Sequence, residues 1–596
     1  MKKRKAMLLL MGCAVVSMLM LAASAACAGA EDLTQAVQIV LDQAGSTASD
    51  GSVIISGSVV TITKGGTYAV SGTLTEGQLR VEAGSSDKVE LVLSGVSISN
   101  STDAALHVEN AKRVTVRLQS GTENEIQSGQ EVEITADTAA DESASGGAVY
   151  ARDDLTITGE GALTVRGYIN NGIQTSNDLV IEGGVITVQA VNNGLKGKDS
   201  VTITGGEITL ITGGDGIKSD STDSEEDGTV TISGGSFVMT CGGDGVQAET
   251  MMTISGGTFA MTCGSGSAGV SHAAGGNMWG ATGWDMEDED EPSTKGLKSG
   301  GDMALSGGTF VIDSRDDAIH ADGSIVITGG DYTLSTGDDA IHADASLAVE
   351  GGDIRILTSY EGLEANQILI AGGDISVTAS DDGVNANGGD VMGMMGGGMG
   401  WKMGAWGGAP QNDSAFDAES AQSGASDEMP NLCITGGSLV IYAEGDGLDS
   451  NGNILVEGGT VIVNGPEGSG NGSIDYGTES GGTCTITGGT VLALGAAGMA
   501  ESFGSGSTQC SFLQMLNGSF SAGDEITIAD SSGHALITYT AVKRGNCVVF
   551  SSPELIQGET YTVTAGSEKI AVTLTEIATG STGGGFGRGG KGGRGI

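Results

Sequence analysis

Val201-Thr202-Ile203-Thr204-Gly205-Gly206-Glu207-Ile208-Thr209-Leu210, running on to Gly213-Gly214-Asp215-Gly216-Ile217-Lys218-Ser219, is where the fold is legible. Apolar and polar side chains alternate on both sides of Gly205-Gly206, with Val201, Ile203, Ile208 and Leu210 on one face. A period of two is the mark of a short strand with one buried face. The helical period of about 3.6 is absent, which excludes helical repeats.

The same apolar-x-apolar-x-Gly-Gly-x-apolar-x-apolar pattern recurs along most of the chain. Its glycine pairs start at Gly183, Gly205, Gly234, Gly256, Gly307, Gly329, Gly351, Gly372, Gly436, Gly458 and Gly488. Successive spacings are 22 residues or one fewer, apart from 29, 51, 64 and 30, which read as one or two repeats plus inserted loops. Two strands and a glycine corner cannot enclose a core alone. Stacked copies can, each bonding to the next at about 4.8 Å. The expected fold is therefore all-β, a right-handed parallel β-helix with coils of about 22 residues. A propeller would need repeats of about 40 residues.

A third strand follows the acidic corner of each coil. Stacking the repeats on Gly172, Gly194, Gly216, Gly245, Gly296, Ala318, Ala340, Gly362, Gly383 and Gly447 places Ile, Leu or Val at the next position, pointing inward. A small residue such as Ala321, Ala343, Ala365 or Ala386 follows two places later, also inward. The positions between them face outward as ladders.

The two ends depart from this pattern. Residues 31–165 carry looser coils and are read as a cap. Residues 166–507 form the main helix, with loops inserted near 271–294 and 388–431. Beyond Thr508 the glycine pairs stop, and runs such as Ala535-Leu-Ile-Thr-Tyr-Thr540 mark a small β domain over 508–576. The Gly-rich segment 577–596, with Arg588, Lys591 and Arg594, reads as a disordered tail or as a contact for an anionic wall polymer.

At the start, Lys2, Lys3, Arg4 and Lys5 precede an apolar run from Ala6 to Ala23 and the small residues Ala28-Gly29-Ala30. This is the pattern of a secretory signal peptide over 1–30, so a secreted or cell-surface monomer without a lasting membrane span is expected. Lipid anchoring through Cys27 is the alternative, but Ser24 stands where a leucine-like residue is required. The formal charge is −49, or −53 without the four basic residues of the leader, which excludes nucleic acid and suits divalent cations or neutral partners. Eight cysteines in 596 residues do not make a disulfide scaffold.

The acidic corner carries the most specific chemistry. Just before the stacking residue stand Asp215, Asp244, Asp317, Asp339, Glu361, Asp382 and Asp446, and a second acid precedes some of them at Asp316, Asp338 and Asp381. Outward, four places past the stacking residue, come Asp220, Glu249, Asp322 and Asp344, then Asn366, Asn387 and Asn451. Carboxylates one strand spacing apart repel each other unless neutralised, and calcium prefers this set of oxygen ligands. Calcium between coils is expected, centred on Asp316, Asp317, Asp338, Asp339 and Asp382. The competing reading is that the acids bind turn amides without any metal.

Two places past the stacking residue runs an outward row of Lys196, Lys218, Lys298, His320, His342, Glu364, Asn385 and Asp449. Its basic members are candidates to hydrogen-bond successive sugars, or they offset the nearby acids. His320 and His342 stack on one another and suggest either a softer metal or plain surface residues. All four tryptophans, Trp279, Trp284, Trp401 and Trp406, lie in the two insertions and are candidates to stack on sugar rings. Met392 to Met403 fit flexible filler better than a copper site. Cys241 and Cys263 share an inward position in neighbouring coils and form either a disulfide or a thiol ladder, and Cys510 and Cys547 are a second candidate pair.

Three stretches carry a resemblance: Gly66-Thr-Tyr-Ala-Val-Ser-Gly-Thr-Leu74 with Gly77-Gln-Leu79, Val89-Glu-Leu-Val-Leu-Ser-Gly-Val-Ser-Ile98, and Gly337-Asp-Asp-Ala-Ile-His-Ala-Asp344 with its Gly-Gly corners. In these the chain resembles the bacterial carbohydrate-binding domain-containing family of calcium-containing parallel β-helices, similar in fold to pectate lyases. The resemblance implies binding of cellulose-like or pectin-like polysaccharide without catalysis, and calcium at Asp316, Asp317, Asp322, Asp338, Asp339 and Asp344. The competing classes are a pectin- or polygalacturonate-degrading lyase or glycoside hydrolase, and a non-catalytic surface adhesin or scaffold. Arg315-Asp316-Asp317 looks like the paired acids of pectin-cleaving glycosidases, and Arg315 is the candidate base for a lyase. The acid pair recurs coil after coil, however, whereas a catalytic pair should be unique, so a non-enzyme is expected.

Overall fold

The computed structural model describes residues 33–135, 138, 146–224, 226–270, 292–387 and 431–580. Apart from the 3-10 turns Leu33–Gln35 and Thr478–Ser480, the described residues are strands and the turns joining them. No described helix is long and apolar enough to cross a membrane. The expected all-β class holds, and the largest sheet, of 46 strands, is predominantly parallel.

Each repeat supplies three strands, as in Ser200–Ile203, Glu207–Thr212 and Ile217–Ser219. Each strand pairs in parallel with its counterpart in the next repeat, these three with Thr229–Ile232, Ser236–Cys241 and Val246–Ala248. The inward column predicted from the stacking residues is the observed register: Ile173, Leu195, Ile217, Val246, Leu297, Ile319, Ile341, Leu363, Val384 and Leu448 stand opposite one another in turn. Every member is fully buried. The stack runs on without a break across the long intervals: Thr258–Cys263 pairs directly with Thr309–Ser314, and Asp374–Ala379 with Ser438–Ala443.

The glycine pair has a separate reason at each position. Gly206 adopts a φ of 108°, which side chains with a Cβ disfavour. A Cβ on Gly205 would come within 2.9 Å of the Glu182 carbonyl oxygen in the preceding repeat. The stacking column is tight as well: a Cβ on Gly447 would lie 2.2 Å from Val463 Cγ1 and 2.6 Å from the Ser473 carbonyl oxygen. Gly447→Ala is therefore expected to cost about 1–3 kcal/mol, seen as a lower urea midpoint. An unchanged midpoint would mean that this corner is looser than its contacts imply.

The interior is packed in like-on-like columns. Phe237, Phe259, Phe310 and Tyr332 form a ring stack with centroids 4.5, 4.7 and 4.8 Å apart and planes within 3° of parallel. Cys241 and Cys263 are in register, buried and free, which settles the alternatives left by their spacing in favour of a thiol ladder. Cys510 and Cys547 are also free. Met515 stands opposite Cys547, and the two cysteines point into different cores, so the antiparallel register keeps them apart.

The ends are built differently. Near the start, Val37–Asp42 pairs in parallel with Gly66–Leu74 and antiparallel with Thr47–Ala48. Near the other end, Thr490–Gly495 pairs antiparallel with Gly545–Ser551, which ends the parallel stacking. Glu525–Ala529, Ala535–Thr540, Thr560–Ala565 and Glu568–Thr573 make a separate four-stranded antiparallel sheet. It covers its own core, which includes Ile526, Ile528, Tyr561 and Val563.

Candidate functional site

In-register stacking brings the corner acids into one row, and their first partners are backbone amides. At most corners the side-chain oxygen accepts the main-chain N–H of the corner in the next repeat. Asn193 Oδ1 accepts from Asp215 at 3.0 Å, Asp215 Oδ1 from Asp244 at 2.8 Å and Asp244 Oδ1 from Lys295 at 2.7 Å. Further along, Asp317 Oδ1 accepts from Asp339 at 3.1 Å, Asp339 Oδ1 from Glu361 at 3.0 Å and Asp382 Oδ1 from Asp446. A buried amide needs such a partner, so one oxygen of most of these acids serves the stacking itself.

Over the first half of the row, the second oxygen meets a base. Lys218 Nζ donates to Asp215 Oδ2 at 2.8 Å, and Lys298 Nζ lies 3.9 Å from Asp244 Oδ2. Lys196 pairs with Asp220 at 2.6 Å. The lysines expected to meet sugars thus each face an acid of their own surface. Burial and the neighbouring Asp215 still push Asp244 up to about 6.

The centre of the row holds a residue that the sequence reading passed over. Lys295 stands at a corner position where most repeats carry an acid, and its buried ammonium donates to Asp316 Oδ1 at 2.9 Å and Asp317 Oδ2 at 2.8 Å. Its place directly before Gly296 in the stacking column was the available signal. His320 lies between Asp317 Oδ2, 2.8 Å from Nδ1, and Asp322 Oδ1, 3.0 Å from Nε2. Burial alone would lower the His320 pKa, but these two carboxylates outweigh it and raise it to about 9. Burial would likewise raise Asp317, yet His320 and Lys295 hold it below the usual carboxylate range.

His320 and His342 do not stack face to face. Their rings meet edge-on at 79° with centroids 4.9 Å apart. Each ring is turned towards its own acids: His342 Nδ1 lies 3.7 Å from both Asp339 Oδ2 and Glu364 Oε2, and Nε2 lies 3.5 Å from Asp344 Oδ1. Among the described residues, three sets bring potential ligand atoms within 4.8 Å of one another: Asp316, Asp317 and Asp338; Asp317, His320 and His342; and Asp339, His342 and Glu364.

Past His342 the bases give out. The outward row continues through Glu364, Asn385 and Asp449 in register, while Glu361, Asp382 and Asp446 continue the corner row. Burial and the adjacent Glu364 raise Glu361 far above its ordinary range, and burial with Glu364 and Asp317 does the same to Asp339. Burial with Asp381 raises Asp382 to about 7, and burial with Asp382 raises Asp446 to about 8 and Asp449 to about 7. Asn385, 6% exposed, donates through Nδ2 to Glu361 Oε2 at 2.8 Å, while its buried Oδ1 has no hydrogen-bond partner. Among the predicted acids, then, Asp215, Asp244, Asp316, Asp317 and Asp322 have basic partners and Asp344 faces His342, whereas Glu361, Asp381, Asp382 and Asp446 share the base-poor half. Trp279, Trp284, Trp401 and Trp406 lie outside the described residues.

Residues 56–340 match the family model described as carbohydrate-binding domain-containing protein. A carbohydrate-binding domain-containing protein of Acetivibrio thermocellus is 41% identical over 131 residues, which span 22% of this chain and 45% of that curated relative. A solved polysaccharide lyase-like protein from C. thermocellum, a gadolinium derivative, is 37% identical over 38% of this chain and 91% of its own, with a TM-score of 0.34.

Proposed function

We propose that this chain is an exported polysaccharide-binding protein, built as a right-handed parallel β-helix and recognising plant-type or other cell-wall glycans without cleaving them. Three strands per repeat, each paired in parallel with its counterpart in the next, support the β-helix reading. The match of residues 56–340 to a carbohydrate-binding family carries the functional reading. The corner row favours binding over catalysis. The paired acids Asp316 and Asp317 are held by Lys295 and a row of amides, and a general acid or base needs a carboxyl free to exchange a proton with substrate.

Calcium belongs to this proposal, with its place shifted along the row. At Asp316 and Asp317 the Lys295 ammonium already supplies the positive charge. The base-poor half fits the ion better: Glu361, Glu364, Asp382, Asp446 and Asp449 offer hard oxygen ligands, and Asn385 Oδ1 is a buried acceptor in need of a partner. A bound divalent cation would supply charge neutralisation there, and the acids and Asn385 would hold the coils in register around it.

The test is affinity electrophoresis of the full chain in gels cast with cellulose-derived polymer, xylan or polygalacturonate. Retardation without release of shortened products is expected. Product release would replace this reading with an enzyme, and unhindered migration in every gel would leave a scaffold. Joint replacement of Trp279, Trp284, Trp401 and Trp406 by alanine is expected to weaken retardation, and unchanged mobility would remove those rings from the binding surface.

A further inference from the structure

Away from the corner rows, residues 129–135, which follow the strand Glu123–Ser128, run beside the outer face of the following repeats. Glu131, Val132, Glu133 and Ile134 form one wall of a cleft of about 350 Å3, and Tyr168, Gln189 and Ile211 form the other. The second wall is fixed by sheet register, with Gln189 directly opposite Ile211 on adjacent parallel strands. The Tyr168 hydroxyl lies 3.5 Å from Gln189 Oε1, which ties the ring to the amide. Farther along the segment, the Thr138 carbonyl sits 2.7 Å from where a Cβ of Gly213 would project, so the absence of a side chain there lets the segment lie close to the sheet.

The lining combines three kinds of group. Tyr168 and Ile211 are half-buried, and Val132 is 44% exposed, so ring and aliphatic surface remain open to a ligand. Gln189 offers an amide, and Glu131 and Glu133 offer carboxylates that only accept hydrogen bonds. An aromatic face, an amide and carboxylate acceptors suit a pyranose ring, whose C–H faces are apolar and whose edge carries hydroxyl donors. Among the described residues, no cation lines the cleft. A basic side chain on this face, Arg166 in register with Gln189, pairs with Glu125. A uronate polymer would bring negative charge against Glu131 and Glu133, and no basic side chain among the described lining residues offsets that repulsion.

Resting on the reading of this chain as a polysaccharide binder, we infer that this cleft is a sugar subsite for a neutral pyranose polymer, a cellulose- or xylan-like chain rather than a pectin-like one, with Tyr168 as its stacking platform. The experiment compares the full chain with Tyr168→Ala, Tyr168→Phe and Gln189→Ala in gels containing hydroxyethylcellulose, xylan or polygalacturonate, with melting temperatures measured alongside. Retardation of the parent by a neutral polymer is expected, weakened roughly tenfold or more in Tyr168→Ala and kept in Tyr168→Phe. Glu131→Lys with Glu133→Lys, on an exposed segment, is expected to add affinity for polygalacturonate. Retardation of the parent by polygalacturonate alone overturns the neutral class. Full retardation of a folded Tyr168→Ala chain by neutral polymer overturns the subsite while leaving polysaccharide binding intact. Migration unaffected by any polymer overturns the broader reading itself.

Discussion

Calcium-free protein is expected to lose thermal stability as the pH is raised from about 4 to about 8, and added calcium to restore part of it. The sign follows from the carboxyls of the base-poor half. Asp382, Asp446 and Asp449 titrate at about 7, 8 and 7 in the folded chain, above the ordinary value of 3.8, because burial and mutual repulsion disfavour their charged forms. The folded state therefore binds more protons than the unfolded state between these limits, and stability falls as pH rises through that window. A single group raised by three pH units corresponds to about 4 kcal/mol, so the loss is large against typical domain stabilities of about 5–15 kcal/mol. His320, raised to about 9, acts in the same direction: its contribution is complete below about 6.5 and fades as pH climbs through 9. Asp317 and Asp322, both lowered, act oppositely, and their stabilisation is lost only on acidification below the ordinary carboxylate range. An ion bound among the acids removes the repulsion, and a ligand at a hundred times its Kd adds about 2.7 kcal/mol. Melting curves at pH 4.5, 6 and 8, with chelator and with calcium, are the check. Curves indifferent to chelation, together with stability rising towards pH 8, would remove both the ion and the repulsion it answers.

How far the sequence reveals this arrangement depends on the kind of residue. The inward column from Ile173 to Leu448 is legible because glycine corners fix its phase, and parallel in-register stacking then turns a spacing into a contact. The acid row is legible as a row for the same reason. What each acid does is less legible, because an Asp at a corner can serve a metal or the next amide, and here the amide takes one oxygen of most of them. The division of the row into a base-paired half and a base-poor half depends on the outward row at the same level, where Lys218, Lys298, His320 and His342 give way to Glu364, Asn385 and Asp449. Lys295 departs from the acid pattern, and its position directly before Gly296 is the one sign of it in the sequence. Cys510 and Cys547 fall where strands turn antiparallel, and there spacing no longer predicts which residues meet.

Phe259→Ala is expected to cost about 3–5 kcal/mol, the range for removing a fully buried aromatic side chain. Phe259 is 1% exposed and lies between Phe237 and Phe310, with planes 1° and 3° from parallel. Collapse into the resulting void is opposed by the register. The strands Ser236–Cys241 and Thr309–Ser314 are both hydrogen-bonded to Thr258–Cys263 along their whole length, so neither neighbouring ring can move inward without breaking ladder bonds. A void lined by rings on two sides forfeits dispersion contacts that solvent cannot replace. Because stacked repeats contact chiefly their neighbours, the damage is expected to be local. Amide exchange should accelerate in the strands on either side of Phe259, while the four-stranded antiparallel sheet containing Ile526 and Val563 keeps its protection. Phe259→Leu, which fills much of the volume, should recover more than half of the lost stability. A cost below about 1 kcal/mol for the alanine variant would be incompatible with a tightly stacked interior. Loss of protection spread evenly to the far sheet would show that the chain unfolds as one unit rather than repeat by repeat.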